Sequence, residues 1–494
     1  MICAAVMSLP WEVGWVTMPP ARHGISSRAR TGILALLAGV VLLTGACTPG
    51  KGGKATSSGA VTLKLQANAV NTKNGKNYGE ASWIVDYVIP NFQKQMSAQG
   101  KNVTVQFVGS GAADEDYKTR LVLDLKTGGG ADVIDIDGPW IGEFVQAGYL
   151  KPLDQVVGPE VAGWEGWAQI PKAIAGMTEV GGKRYGVPIG TDGRVLYFNK
   201  KLFAQAGLPA DWQPKSWDDI LAAGHQLRSR LPGVTPLQIN AGTAMGEATT
   251  SQGFLPLLYG TGTNIIDQAT GKWVGDTAKT RAVLNLYQQI YGQGLGDKNL
   301  QLRADGRDRS FEQFSKGKIA ILLEGDYFWR SVINPVGGLA PMKDRDRAVG
   351  WALIPAMRPG SGLGGQDFVS LSGGGARMIN PATKHPKEAW ALLQYLNSKE
   401  ALPDFVQRGA RLTSRNDVNQ SALTDPLLSF IAQRVLPITA TRPGSALYPQ
   451  VSIAAQTATE NVVSGRSSPD KAAAQFGGAV GKIVGAGNVE NGTT

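Results

Sequence analysis

The residues best placed to do chemistry are Asp192 and Arg194, in the run Gly190-Thr191-Asp192-Gly193-Arg194 between two apolar stretches, Tyr185–Ile189 and Val195–Phe198. They set one carboxylate and one guanidinium among glycines, which let a backbone approach a ligand or change its dihedrals at little cost. Asp-Gly between apolar runs is equally a hairpin signal. Asp192, Glu247, Glu324 and Asp326 could supply the two carboxylates that glycoside hydrolysis needs. Other catalytic patterns are missing from the sequence: no GxSxG, no GxxxxGK and no HExxH occurs. Gly109-Ser110-Gly111 lacks the last glycine of a dinucleotide loop. His225 and His385 are too sparse for a zinc site. Asp135-Ile136-Asp137-Gly138 starts like a calcium loop but lacks its further acidic ligands and closing Glu. Neither a metal nor a cofactor is expected.

The elements that must position these residues alternate between strand and helix. Val61–Leu65 reads as a strand, and Trp83–Met96 carries a helical apolar stripe that Pro90 should kink. Val103–Val108 is a strand, Asp114–Lys126 a helix, and Ala131–Asp137 a strand running into the Gly138-Pro139-Trp140 loop. Asn199 stands where a helix N-cap belongs and Gly207 where the C′ residue belongs. Ser216 caps the next helix in the same way. Phe311–Ile321 reads as helix, glycine stop and buried strand. Val349–Ile354 reads as a further strand, and Pro386–Ser398 as an amphipathic helix. Asp344-Arg345-Asp346-Arg347 reads as a solvated charge run. Short links between alternating elements predict an α/β fold.

At 494 residues the chain can bury a large core and divide into more than one domain. Charged residues make up 18% and hydrophobic residues 43%, which excludes a disordered chain and an integral membrane protein. The net charge of +10 suits an anionic lipid or cell-wall setting. No basic–aromatic run accompanies it, so nucleic acid is not an expected partner. Residues 1–47 read as a targeting segment: Arg22, Arg28 and Arg30 precede the apolar Ile33–Ala46, which ends in Leu43-Thr44-Gly45-Ala46-Cys47. Translation starting at Met18 would give the same leader. Residues 48–60 are rich in Gly, Ser and Thr and read as a flexible tether. Residues 487–494 read as a frayed tail.

Small residues directly before Cys47 resemble a bacterial lipobox, which implies a lipidated cysteine and a membrane-anchored extracytoplasmic protein. The body resembles the sugar-type extracellular solute-binding proteins, the capture subunits of ABC importers. That resemblance is carried by Tyr185-Gly186-Val187-Pro188, Leu196–Phe203, Ala206-Gly207-Leu208, the Phe311–Ala320 element, and the order of motifs through Val61–Phe476. It departs at Arg411-Leu412-Thr413-Ser414, where the family tends to place a Pro-small pair. The resemblance implies a two-lobed, periplasmic-binding-protein-like fold with a hinge of several crossings and a ligand cleft between the lobes. Lobe 1 would comprise 61–188 plus about 354–400, with Val349–Ile354 as the strand returning to it, and lobe 2 193–350 plus about 410–486, with the third crossing near 399–412.

The family arrangement implies a cleft-facing set for this sequence. Asp137 and Trp140 come after a lobe 1 strand, and Asp192 and Arg194 sit at the first crossing. Glu247 and Gln252 lie in a Gly/Thr/Ser-rich loop, and Glu324, Tyr327 and Trp329 come after the Ile319–Leu323 strand. Gly375 would offer backbone, and Arg442 would return to the hinge. Directed carboxylates and amides meet sugar hydroxyls, and aromatic faces meet sugar C–H faces. Each residue has a plainer alternative: Trp140 could fill the core, only one of Tyr327 and Trp329 should face a cleft, Glu324 could pair with a lysine, and Arg442 could clamp a carboxylate. The implied function is a monomeric receptor that closes on a sugar, oligosaccharide or glycosylated polyol and hands it to a permease with a separate ATPase. Remaining alternatives are a phosphorylated glycerol derivative as ligand, a surface glycosidase or lyase, and a receptor feeding a sensor.

Overall fold

The computed structural model describes residues 59–492 apart from 74, 113, 268–269 and 410. The leader, Cys47 and most of the tether lie outside the described residues. In chain order the strands that frame the site are β1 (Val61–Ala67), β2 (Val103–Gly109), β3 (Val133–Asp137), β4 (Gly186–Pro188), β5 (Arg194–Asn199), β6 (Thr235–Gln238), β7 (Ile319–Gly325), β8 (Val349–Ala352), β9 (Ile354–Pro355), β10 (Phe368–Ser372), β11 (Gly375–Ile379) and β12 (Thr439–Thr441).

They form two lobes. A five-stranded sheet of order β2-β1-β3-β11-β4 makes lobe 1; a four-stranded sheet of order β8-β5-β7-β6 makes lobe 2, flanked by a three-stranded β9-β10-β12 sheet. Along β5, Val195 and Tyr197 enter one apolar cluster while Leu196 and Phe198 enter another. That is the period of two expected of a strand covered on both faces, and it explains the unbroken apolar run. Asn199 accepts from the backbone N–H of Lys201 (3.0 Å) and Leu202 (3.2 Å), and Gly207 closes the helix at φ 75°. Ser216 caps its helix by accepting from Asp219 N at 3.2 Å. Before Pro90 the helical path widens into a π-turn over Ile84–Val88, which absorbs the missing proline N–H without breaking the run.

The Asp192-Gly193 turn is not a hairpin. β4 pairs with β11 in lobe 1, whereas β5 pairs with β7 and β8 in lobe 2, so the chain changes lobes there. It returns later than the sequence suggested. Val349–Ile354 does not lead back to lobe 1: β8 pairs with β5, β9 with β10, and the return falls at Gly373-Gly374 between β10 and β11. A third passage comes after the Leu402–Gly409 helix, where Thr413 bridges Gly190 and Thr191 N donates to Leu412 O at 3.3 Å. Gly374 has φ +146°, and a Cβ there would lie 2.4 Å from Gly190 O, so this junction requires glycine.

Residues 487–492 are ordered rather than frayed, and the last two residues of the expected tail lie outside the described residues. Val489–Gly492 pairs in parallel with Trp273–Thr277, with Val489 buried and Asn491 Oδ1 accepting from Asp276 N at 2.7 Å. The charge run is also not wholly solvated. Arg345 lies 3.8 Å above the Trp329 ring, a cation–π contact that buries most of the guanidinium.

Candidate functional site

Where the crossings meet, a cavity of about 510 Å³ opens between the lobes. Its lobe 1 wall is built from the end of β3, with Asp135, Ile136 and Asp137, and from Trp140 in the turn beyond that strand. Gly375 lies opposite Asp137 in the β3–β11 register, so backbone and carboxylate reach the rim together. The floor is the hinge itself, Ile189 to Asp192 with Gly374 and Arg411. Lobe 2 contributes Tyr327, Arg330 and Arg442. Polar groups directed from both sides, with an aromatic face on each, form a site suited to a small polyhydroxylated molecule.

Of the residues expected at the cleft, Asp137, Trp140, Asp192, Tyr327, Gly375 and Arg442 line this cavity. Trp140 is only 8% exposed and packs with Ile136 and Phe144, so it serves core and wall at once. Tyr327 is 40% exposed and is the more open ring.

Arg194, Gln252 and Glu247 stand behind the lining and hold it. The Arg194 guanidinium pairs with Asp192, donates from Nε to Gln252 Oε1 (2.8 Å) and from Nη1 to Leu371 O (3.1 Å). Asp192 also accepts from Gly373 N at 2.5 Å. One carboxylate and one guanidinium thus staple the first crossing to the second. Burial alone would raise the Asp192 pKa. Arg194, the Gly373 N–H and Arg442 outweigh it and hold the carboxyl below the usual carboxylate range. Glu247 accepts from Tyr448 Oη and Ser452 Oγ, both at 2.6 Å, and lies 3.4 Å from Arg442 Nη1, which anchors that arginine toward the cavity.

Glu324 and Trp329 stand apart from the cavity. Glu324 is fully buried, gripped by Arg307 through two bonds of 2.8 and 2.7 Å, and accepts from Asn240 Nδ2 at 2.9 Å. The alternation along β7 turns it into the lobe 2 interior, so it does not face Asp192 as a hydrolytic partner would. Trp329 is 1% exposed, donates to Asp425 Oδ2 at 2.8 Å and meets Trp351 edge-on at 5.3 Å.

Sequence reasoning missed the lobe 1 corner formed by Asn77, Glu80, Tyr117 and Asp135. Arg377, fully buried, bridges two acids here: its Nη2 lies 2.6 Å from Glu80 and its Nε 3.1 Å from Asp135. Burial drives the Asp135 pKa up to about 8 against the pull of Arg377, and Glu80 adds to the rise. Asn77 is the only non-glycine residue with positive φ among those described, at 49°, and its amide donates to Asn68 O at 3.0 Å. An Asn and a Glu opening an apolar helix was the available signal.

Comparison with known proteins bears on what such a site does. The family model for bacterial extracellular solute-binding proteins matches residues 75–403. A Brucella abortus protein described provisionally as a binding protein is 25% identical over 290 residues, 58% of this chain and 63% of the relative. The matched region therefore spans somewhat under two thirds of that relative's length. An ABC transporter solute-binding protein from Thermotoga lettingae, solved with α-D-tagatose, is 25% identical with a TM-score of 0.64, covering 86% of this chain and 100% of its own. The cyclic α-maltosyl-1,6-maltose binding protein of Arthrobacter globiformis matches at TM-score 0.69 and 19% identity, covering 87% of this chain and 100% of its own.

Proposed function

The chain belongs to the bacterial extracellular solute-binding proteins, and from that premise we propose that it captures a carbohydrate between its lobes for an ABC importer. The ligand class is a sugar, oligosaccharide or glycosylated polyol. The observation that carries this reading is the cavity itself, walled by Trp140 and Asp137 of lobe 1, Tyr327 and Arg442 of lobe 2, and floored by the crossings. One solved relative of the same fold holds α-D-tagatose and another is named for binding cyclic α-maltosyl-1,6-maltose, which supports the carbohydrate class.

A ligand touching both walls gains contacts in the closed form that the open form cannot offer, so binding shifts the population toward closure. Asp137, Trp140, Asp192, Tyr327, Gly375 and Arg442 are the contacts of this proposal, with Arg194, Glu247 and Gln252 supporting them. The closed form is what a membrane permease would recognise, ATP hydrolysis residing in another subunit. Among the described residues no helix is long and apolar enough to cross a membrane. The sequence ending at Cys47 supports attachment outside the cytoplasm through acyl chains on that cysteine.

The test is a melting screen of the purified protein against monosaccharides, oligosaccharides and glycosylated polyols. A ligand at a hundred times its Kd stabilises by about 2.7 kcal/mol. For a body of this size that is a rise of about 3 °C, at roughly 1 °C per kcal/mol. A broad glycan panel that leaves the melting point unmoved, while an amino acid or peptide raises it, contradicts the carbohydrate reading.

A further inference from the structure

The charges around the cavity are unevenly satisfied. Each carboxylate on its wall holds a near donor. Asp192 has Arg194 and Gly373 N, Glu80 accepts from Arg377 Nη2 at 2.6 Å, Asp137 accepts from Gly138 N at 3.0 Å, and Asp135 lies 3.1 Å from Arg377 Nε, although its Oδ1 makes no hydrogen bond among the described residues. The guanidinium groups on the wall are held less well. Arg442 lies 3.4 Å from Glu247, and Arg330 lies 3.4 Å from Asp326, with its buried Nε lacking any partner among the described residues. Arg411 is the extreme case. Its nearest carboxylate is Glu80 at 3.9 Å, an acid already committed to Arg377, with the charges of Asp326 and Asp192 also acting on it, and its side chain is 34% exposed.

A guanidinium carries five N–H donors in a planar fork, and withdrawing them from water without an acceptor is costly. Arg411 and Arg330 line the same cavity, one from the hinge and one from lobe 2. Burial lowers the Arg411 pKa and the positive charge of Arg330 pushes the same way, against the opposite pull of Glu80, Asp326 and Asp192. A neutral hydroxyl accepts a single N–H, whereas Arg411 and Arg330 offer donor forks with few acceptors in close reach. A carboxylate or phosphate accepts two in parallel and cancels the repulsion.

We propose that the carbohydrate captured by this protein is acidic, with its carboxylate or phosphate group seated between Arg411 and Arg330. The inference rests on the carbohydrate reading above and narrows it. Seating the anion draws a hinge residue and a lobe 2 residue onto one group, which adds to the closing force in the way a neutral sugar does not.

The experiment is calorimetric titration of the purified chain with matched sugars: D-glucose, D-glucuronate, D-glucose 6-phosphate and D-glucosamine, and the same series built on galactose. At least one acidic member is expected to bind ten times or more tighter than its neutral counterpart, with the advantage shrinking as salt rises. Preference for the uronate identifies a carboxylate, and preference for the 6-phosphate a phosphate. Arg411→Gln is expected to weaken the acidic sugar by tenfold or more and to lower the acidic-to-neutral ratio. Arg411→Lys, which keeps charge but not the fork, should fall between the two. Neutral or amino sugars binding as tightly as the acidic ones, or a ratio unmoved in Arg411→Gln, overturns the inference and leaves the carbohydrate reading standing. No binding by any member of either series overturns the inference, while the carbohydrate reading stands or falls on the melting screen.

Discussion

Replacing Asp192 by Asn separates the two roles that this carboxylate could have. If it were only a ligand contact, the unliganded protein would not notice the change. In the structure it is the pin between two crossings, pairing with Arg194 and accepting from Gly373 N at 2.5 Å. Removing one partner of a buried ion pair costs about 3–5 kcal/mol. Asp192 retains 30% side-chain exposure while Arg194 retains 6%, so water recovers part of the loss. Arg194 also keeps Gln252 and Leu371 O. We expect a destabilisation of about 2–3 kcal/mol in Asp192→Asn at pH 7, read by urea unfolding without ligand.

The pH dependence has a definite sign. The folded carboxyl titrates below its unfolded value near 4, so its contribution is present above pH 4 and disappears as pH falls through the depressed folded pKa. The gap between wild type and Asp192→Asn should therefore close in acid. An unliganded Asp192→Asn within about 0.5 kcal/mol of wild type at pH 7 would refute the staple.

Other expectations come from neighbouring groups. Arg307→Met strands the buried Glu324 carboxylate and should cost about 3–5 kcal/mol in chemical denaturation, with ligand affinity affected only through folding. Tyr327→Ala removes an open aromatic wall, and should weaken sugar binding by about tenfold while stability moves by less than about 1 kcal/mol. Asp135 has a raised pKa. Its favourable share is complete below the ordinary carboxylate range and is lost as pH rises toward about 8, so Asp135→Asn should flatten the fall in stability over that window. Gly374→Ala places a Cβ 2.4 Å from Gly190 O, and should lower both the unfolding midpoint and the extent of ligand-induced closure measured by tryptophan fluorescence.

Much of this fold could be read locally. Asn199, Ser216 and Gly207 are helix boundaries because short polar side chains and glycine solve a local hydrogen-bonding problem, and the structure uses them so. Pairing partners were not local. Asp192-Gly193 looks the same in a hairpin and in a lobe crossing, and only the membership of β4 and β5 in different sheets separates the two. The same limit displaced the return to lobe 1 from Ile354 to Gly373, because an apolar strand does not announce which sheet it joins. Glu324 carries the residue type a sugar site needs, yet its partner Arg307 lies on a helix before β7, and nothing in the sequence marks that pair. Arg411 stood out only as a departure from the family pattern; its poverty of partners is a property of the folded cavity.

Small-angle X-ray scattering of the purified chain, with and without a saturating carbohydrate identified by the melting screen, tests capture between the lobes most directly. Closure about the crossings predicts a smaller radius of gyration in the liganded sample. A carbohydrate that saturates the protein and leaves that radius unchanged, with Trp140→Phe and Tyr327→Ala binding it as wild type does, would contradict the account.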